Sequence, residues 1–534
     1  MARPPEDHSR ILHESLGRRA RGSRRARRRS ALKRARRSTR LSLCRVVRPS
    51  RGSVLVLAAA ALVVAGVVFR CWLAFGHVGV ADSDEAIVGL MAVRLLRHGE
   101  LPAFYWGQAY GGSLEAVLVA PSVALLGTTT FALRLPTVLL GLGASWLTWR
   151  IARHRFSRLV AASAGLMSLF FPAALVWFGT KERGFYTLTA ALGLLAVLCG
   201  LNIDEQPRRL TFWAGLGATV GVGWWMSPNI VYYAGPVAVW LIVRGLWRQV
   251  RGVAIATGTL LLGSSVWIVA NSRSGLASLR VPDWGHSSTY WTRLGFFWTG
   301  ALPFTLGLRR PSGGQWIVSP LFGIGTYLVV LVSLVAVICF GKRHPSWTSH
   351  PELFLFATAP FLFAIFPANW TLGDGDGRYT YFIASVIPLV LCYLMMTKRG
   401  RVGVAALVLV TTVSFMSDTT RLRRLTPPST TPIAYALEAE GVHTVLGDYW
   451  TAYQLTFATD ENVIASPARG FRRYRPYVET VMRSSPAYVY LRRGPLDQDA
   501  SLLERLRAHH VHYRRITRGA YYAIVPASSG TRAP

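Results

Sequence analysis

Apolar runs recur along most of this chain, each about 17–20 residues long and poor in charge, which is the length a helix needs to cross a bilayer. Half of the 534 residues are hydrophobic. A soluble helical core would alternate such residues with polar faces. The fold class expected is therefore a polytopic α-helical membrane protein of about eleven transmembrane helices.

The formal charge of +35 would suit a nucleic-acid binder if it were spread over a folded surface. It is concentrated instead near the start, in RRARGSRRARRRS (Arg18 to Ser30) and KRARRSTR (Lys33 to Arg40). Like-charge blocks stay disordered and sit on anionic surfaces. Just ahead of a membrane helix, basic residues mark the cytoplasmic side. Residues 1–52 are thus expected as a cytoplasmic tail, with the lipid bilayer as the partner and no nucleic acid. No small-residue cleavage pattern follows the first apolar run. The five cysteines, Cys44, Cys71, Cys199, Cys339 and Cys392, form no C-x-x-C pair, so neither a disulfide framework nor a zinc site is indicated.

Charge also sets the expected topology. With helix 1 over 54–75, helix 2 over 131–149, helix 3 over 159–178 and helix 4 running to 201, the basic loops fall inside. Helices 5 and 6 (210–226 and 230–243) form a hairpin, helix 7 ends near Asn271, and helices 8 to 11 cover 320–340, 353–367, 380–396 and 402–415. Residues 114–126 are short for a span and read as a helix lying along the membrane. On this count every short inner loop carries Arg or Lys. Acids mixed with bases fall on the outer face: Asp82/Asp84/Glu85, Lys181/Glu182/Arg183 and Asp374/Asp376/Arg378. The membrane domain spans 53–417, with an outer loop over 76–130. Beyond it, β-type runs (His443–Gly447, Ala487–Leu491, Tyr521–Val525) alternate with helical pieces (Ile433–Gly441, Leu502–His510). That pattern predicts a small extracytoplasmic α/β domain over 418–534.

The acids Asp82, Asp84 and Glu85 head the stretch ADSDEAIVGLMAVRLLRHGELPAFYWGQAYGG (Ala81 to Gly112). S-D-E before an apolar run reads as a helix cap. A carboxylate at the membrane surface also serves as a general base toward a hydroxyl. Lys181, Arg183 and Arg378 from other outer loops supply the opposite charge and, converging, would clamp a phosphate. Singly, each reads as an interfacial anchor. Glu182 between the two cations reads as their ion-pair partner. Trp106, Gln108 and Tyr110 form a polar-aromatic patch suited to stacking on a sugar ring or to the interfacial belt. Trp284, His286 and Trp291 are a weaker patch of the same kind. DGDG (Asp374 to Gly377) admits a divalent cation, although a turn is the better reading, and no metal ligand or cofactor is assigned. Walker, GxGxxG, HExxH and GxSxG motifs are absent.

Three segments then carry a resemblance: DSDEAIVGLMA with HGELPAFYWGQAYGGSLEA, LLGTTTFALRLP (Leu125–Pro136), and GDGRYTYFIASVIPL (Gly375–Leu389). They resemble the GT-C membrane glycosyltransferases, in the branch of the protein O-mannosyltransferases and aminoarabinose transferases. GDYWTAYQLTF (Gly447–Phe457) is similar to the outer domain of some bacterial members. The resemblance implies a sugar moved from a polyprenyl-phosphate donor, usually with inversion, to a hydroxyl of a protein, lipid or polysaccharide acceptor outside the cytoplasm. It implies Asp84 as base with Glu85 beside it, Asp82 as an additional acid and Arg378 at the donor phosphate, while Tyr379 is expected to bind substrate with Trp106, Gln108 and Tyr110. Topology alone adds Lys181 and Arg183. The competing expectations are a transporter or flippase, with ionisable residues near helix centres, and a non-catalytic envelope scaffold.

Overall fold

The structure is a computed structural model that describes residues 51–280, 289–311, 314–340, 352, 355–356, 358, 380–492 and 499–527. The first helix, α1 (Arg51–Trp72), carries no acidic residue and continues as a π-turn over Leu73–His77. A short connection leads to α2 (Ser83–His98), whose residues Ala86 to Val93 are all buried. Gly99, at φ 66°, ends α2 in the left-handed conformation that glycine adopts without strain. Two further helices follow, α3 (Leu114–Leu126) and α4 (Thr130–Arg153).

The next expected span, 159–178, is broken in two, as α5 (Arg158–Met167) and α6 (Ala173–Phe178). Pro172 lacks the amide that would continue the ladder, so carbonyls before it lose their helical partners. Buried Arg70 from α1 takes two of them, donating to Leu169 O at 3.0 Å and Ser168 O at 2.8 Å. Helices α7 (Tyr186–Glu205), α8 (Leu210–Met226) and α9 (Val231–Val243) follow, then α10 (Val250–Gly263) and α11 (Ser265–Ser274). The shorter α12 (Tyr290–Phe296) and α13 (Leu302–Thr305) precede α14 (Pro320–Phe340), α15 (Tyr381–Leu394) and α16 (Lys398–Leu425). One buried apolar core joins residues of α4, α5, α7, α8, α9 and α15, where Tyr233 and Ser385 hydroxyls meet at 2.6 Å.

Among the described residues, four helices are long and apolar enough to cross a membrane: Ser53–His77, Thr130–Arg153, Tyr186–Glu205 and Lys398–Leu425. The pair α10 and α11, bent by 56°, makes a fifth if it is one span. Among the described residues the count of eleven is not reached, because several expected spans are shorter or broken helices and most of the expected helix over 353–367 lies outside the described residues. Several apolar spans in one chain still describe a multi-pass membrane protein, since a bilayer interior tolerates only backbone whose polar groups are paired within the segment.

After α16 the chain forms α17 (Thr431–Ala439), β1 (Thr444–Gly447), α18 (Tyr449–Ala458), β2 (Ile464–Pro467), α19 (Arg475–Met482), β3 (Ala487–Leu491), α20 (Ala500–Ala508), β4 (Tyr513–Arg518) and β5 (Tyr521–Pro526). The five strands make one mixed sheet in the order β2-β1-β3-β5-β4, with β1 parallel to β2 and β3, and β5 antiparallel to β3 and β4. This region has its own buried core of Ile433, Leu437, Val445, Leu455, Val489 and Ala523. A second core is shared: Tyr453, Phe457 and Tyr477 bury against Ile87, Leu90 and Met91 of α2. Gly89 permits that approach, since a Cβ there would stand 2.4 Å from the Phe457 ring and 2.6 Å from Leu133.

Candidate active site

The acids at the head of α2 divide their labour. Asp82 is the N-cap and accepts from the Glu85 amide at 3.2 Å, while Glu85 accepts from the Asp82 amide at 3.3 Å. This reciprocal capping box satisfies two amides at the start of a helix and places negative charge at its positive end. Both carboxylates are also held from other elements. Arg134 of α4 reaches Glu85 through Nε at 2.6 Å and Nη2 at 2.7 Å, and its guanidinium also donates to the carbonyls of Gly79 and Val80. Glu85 further accepts from the Glu182 amide at 3.2 Å. Asp82 is held by Lys181 and by Arg183, both at 3.1 Å. Burial by itself would raise the Asp82 carboxyl, but Arg183, Lys181 and the Glu85 amide outweigh it and hold it well below the usual carboxylate range.

Asp84 is the acid that still faces open space. Its side chain is 27% exposed, whereas the side chain of Asp82 is 5% and that of Glu85 0% exposed. One oxygen receives Arg183 at 3.0 Å and the other the Tyr449 hydroxyl from α18. Its carbonyl accepts from the Tyr105 hydroxyl at 3.0 Å. Ser83 ties the same corner by donating to Tyr449 O at 2.6 Å, and Gln454 donates to Ala81 O at 2.7 Å.

Lys181 and Arg183 come from the non-helical turn between α6 and α7, facing the acids. Glu182 between them faces the other way, which corrects the expectation that it pairs with its neighbours. It accepts from the Gly184 amide at 2.9 Å and from Thr137 at 3.3 Å, and its carboxyl meets that of Glu115 from α3. Glu115 in turn accepts from the Leu188 amide at 2.9 Å. Burial, the Glu115 charge and the hydrogen bond to it push the Glu182 carboxyl well above its ordinary value, and burial raises Glu115 as well. One proton shared by two buried carboxyls removes one of two adjacent like charges.

The loop between α2 and α3 closes the site. It doubles back through a bridge between Phe104 and Gly112 and is fastened to the end of α8 by the Trp225 indole, which donates to Ala103 O at 2.7 Å. Gln108 accepts from Arg473 at 3.1 Å. The Arg473 guanidinium lies over the rings of Phe471 at 4.8 Å, Tyr105 at 5.6 Å and Tyr449 at 5.9 Å. Tyr110 is 41% exposed and meets Phe185 edge-on. Trp106 differs from the expected sugar platform. Its ring is buried, stacked on Tyr474 at 4.0 Å and met edge-on by Tyr477 at 5.9 Å, so its aromatic faces are spent on packing.

Asp82, Asp84, Glu85, Lys181 and Arg183 are thus gathered at one place, with Gln108 linked to it through Arg473. Arg378 and Tyr379 lie outside the described residues, as do Trp284, His286 and Asp374 to Gly377. Trp291 is 75% exposed on α12. Sequence reasoning misses Arg134, Tyr449 and Arg473. The first two stand inside LLGTTTFALRLP and GDYWTAYQLTF, the segments that carry the resemblance, and Arg473 follows with no signal of its own. Among the described residues no group of three or more His, Cys, Asp or Glu side chains could hold a metal ion.

Residues 114–269 match the family model described as dolichyl-phosphate-mannose-protein mannosyltransferase. The matched stretch contains Glu115, Arg134, Lys181, Glu182 and Arg183, and begins at the start of α3, so the acids of α2 lie outside it. No curated protein matches the chain. Among solved structures it is similar to ArnT from Cupriavidus metallidurans in the apo state, at a TM-score of 0.63 and 12% identity over 89% of this chain and 98% of that one. The same protein bound to undecaprenyl phosphate gives a TM-score of 0.61 and 13% identity over 90% of this chain and 98% of that one. The family match thus covers the stretch from α3 to α11, and the fold of a membrane protein, ArnT, is shared over most of the chain.

Proposed function

We propose that the chain is a glycosyltransferase that moves a sugar from a polyprenyl-phosphate donor to an acceptor hydroxyl on the extracytoplasmic face of the membrane, with inversion. The observation that carries this reading is the division among the acids: Asp82 and Glu85 are consumed by capping and ion pairs, and Asp84 alone keeps access to an incoming group. The mannosyltransferase family match and the fold shared with an enzyme that binds undecaprenyl phosphate support the donor class.

In a single displacement, Asp84 accepts the proton of the acceptor hydroxyl as its oxygen attacks the anomeric carbon. The bond from that carbon to the phosphate oxygen breaks, and negative charge passes to the lipid phosphate. Fixed cations stabilise such charge most where water is excluded. The local formal charges are balanced, with Asp82, Asp84 and Glu85 against Arg134, Lys181 and Arg183. A bound phosphate therefore calls for further cations, and Arg378 and Arg473 are assigned that part. The bent Lys181-Glu182-Arg183 turn supports a role for Lys181 and Arg183 beside it.

The test is transfer from defined polyprenyl-phosphate sugars in membranes carrying the wild type, Asp84→Asn or Arg378→Ala. The wild type transfers and both variants fail. Full activity of a stable Asp84→Asn protein favours the non-catalytic scaffold instead.

A further inference from the structure

The phenol of Tyr449 does to Asp84 what an acceptor must do: an O–H group donates its proton toward Oδ1 of the exposed carboxylate. Its position is fixed from several sides. The backbone of Tyr449 is held by the Ser83 hydroxyl at 2.6 Å, its ring packs edge-on against Tyr453 and Phe471, and Arg473 Nε donates to its oxygen at 3.4 Å. Burial and the Asp84 charge both push its hydroxyl up, so it stays a donor and never competes as an anion. The opposite oxygen of Asp84 is occupied by Arg183, which leaves Oδ1 as the oxygen from which a base would work.

We infer that Tyr449 occupies the seat of the acceptor hydroxyl, capping Asp84 until an acceptor displaces it and so keeping water from being activated in its place. The inference rests on the reading of Asp84 as base. A donor sugar waiting beside an uncapped carboxylate would be hydrolysed. Water would give its proton to Asp84, its oxygen would bond to the anomeric carbon, and the sugar would leave free while the lipid phosphate took the bonding electrons. Tyr449 thus acts through Asp84 as a positioning residue, and its replacement moves the ratio of hydrolysis to transfer.

The experiment follows free sugar released from a polyprenyl-phosphate sugar without acceptor, in the wild type, Tyr449→Phe, Asp84→Asn and the double variant. Losing a hydrogen bond to a charged group corresponds to about a tenfold effect or more. Tyr449→Phe should raise hydrolysis by about that factor, and adding Asp84→Asn should return it to the background. Unchanged hydrolysis in a Tyr449→Phe enzyme that still transfers normally overturns the inference. A second measurement does not need activity: carbodiimide modification of Asp84, read by mass spectrometry, should be faster in Tyr449→Phe. If the wild type neither transfers nor hydrolyses, the glycosyl-transfer reading fails, and an unchanged modification rate then overturns the capping contact as well.

Discussion

The guanidinium of Arg134 grips both carboxylate oxygens of Glu85, at 2.6 and 2.7 Å, with both side chains wholly out of solvent. A buried pair of this kind adds little against an apolar replacement but cannot lose one member cheaply, because the other is left charged and unpaired. Arg134→Ala should lower stability by about 3–5 kcal/mol. Arg134→Lys should recover only part of it, since an ammonium cannot make the forked contact. Thermal unfolding of the purified protein in detergent checks both.

Asp84→Asn should behave in the opposite way. Its side chain is the exposed one of the three acids and takes no part in the capping box. On the proposed role of Asp84 as base, turnover should fall about 10²–10⁴-fold, and the unfolding temperature should move little. A kinetic loss accompanied by unfolding comparable to that of Arg134→Ala would argue for a structural part for Asp84.

Two buried carboxyls tilt the pH dependence in opposite senses. Glu182 is raised above its ordinary 4.5, so the folded state binds its proton more tightly. Its contribution to stability is fully present below 4.5 and is lost as pH rises toward the raised value. Asp82 is lowered from 3.8, so its contribution is present above 3.8 and is lost on acidification. Glu182→Gln keeps the shape without the ionisation and should flatten the alkaline fall. Asp82→Asn should flatten the acid one. Unfolding temperatures across pH for the three proteins measure both slopes.

Gly107 adopts φ 70°, and a Cβ there would lie 2.7 Å from the Cα of Arg473. Backbone cannot step aside as a flexible side chain can. Gly107→Ala should therefore part the loop after α2 from Arg473, at about 1–3 kcal/mol in stability, and weaken the Arg473 contact with Gln108. Transfer rates and unfolding measured together should fall in step; an unaffected transfer rate would detach Arg473 from the site.

Much of the helical framework was legible because apolar length and flanking charge are local properties. The bounds of α8 fall at 210 and 226, as expected, and α4 is within a few residues of its expected ends. The break at Pro172 was not read, although proline marked it, because the rest of the run is apolar enough to span. In the sheet region, β1, β3 and β5 were visible as β-branched and aromatic runs. Strand β4, Tyr513–Arg518, was not, being exposed and rich in Arg. At the site, opposite charges on loops between the apolar runs are enough to bring Lys181 and Arg183 to the acids. Charge alone could not say that Glu182 turns away to Glu115, since that depends on which side of a non-helical turn faces the interior. Nor could it separate the three acids into two that are buried and one that stays part-exposed, which takes Arg134 and Tyr449 from distant parts of the chain.

Ser83 and Tyr449 are joined by one hydrogen bond although 366 residues separate them. During synthesis the head of α2 is made early and its companion nearly last. Until the ribosome has delivered α18, Ile87, Leu90 and Met91 lack the aromatic cover that later buries them. A nascent chain stalled before that point should therefore expose this apolar face and lack the Tyr449 contact to Asp84.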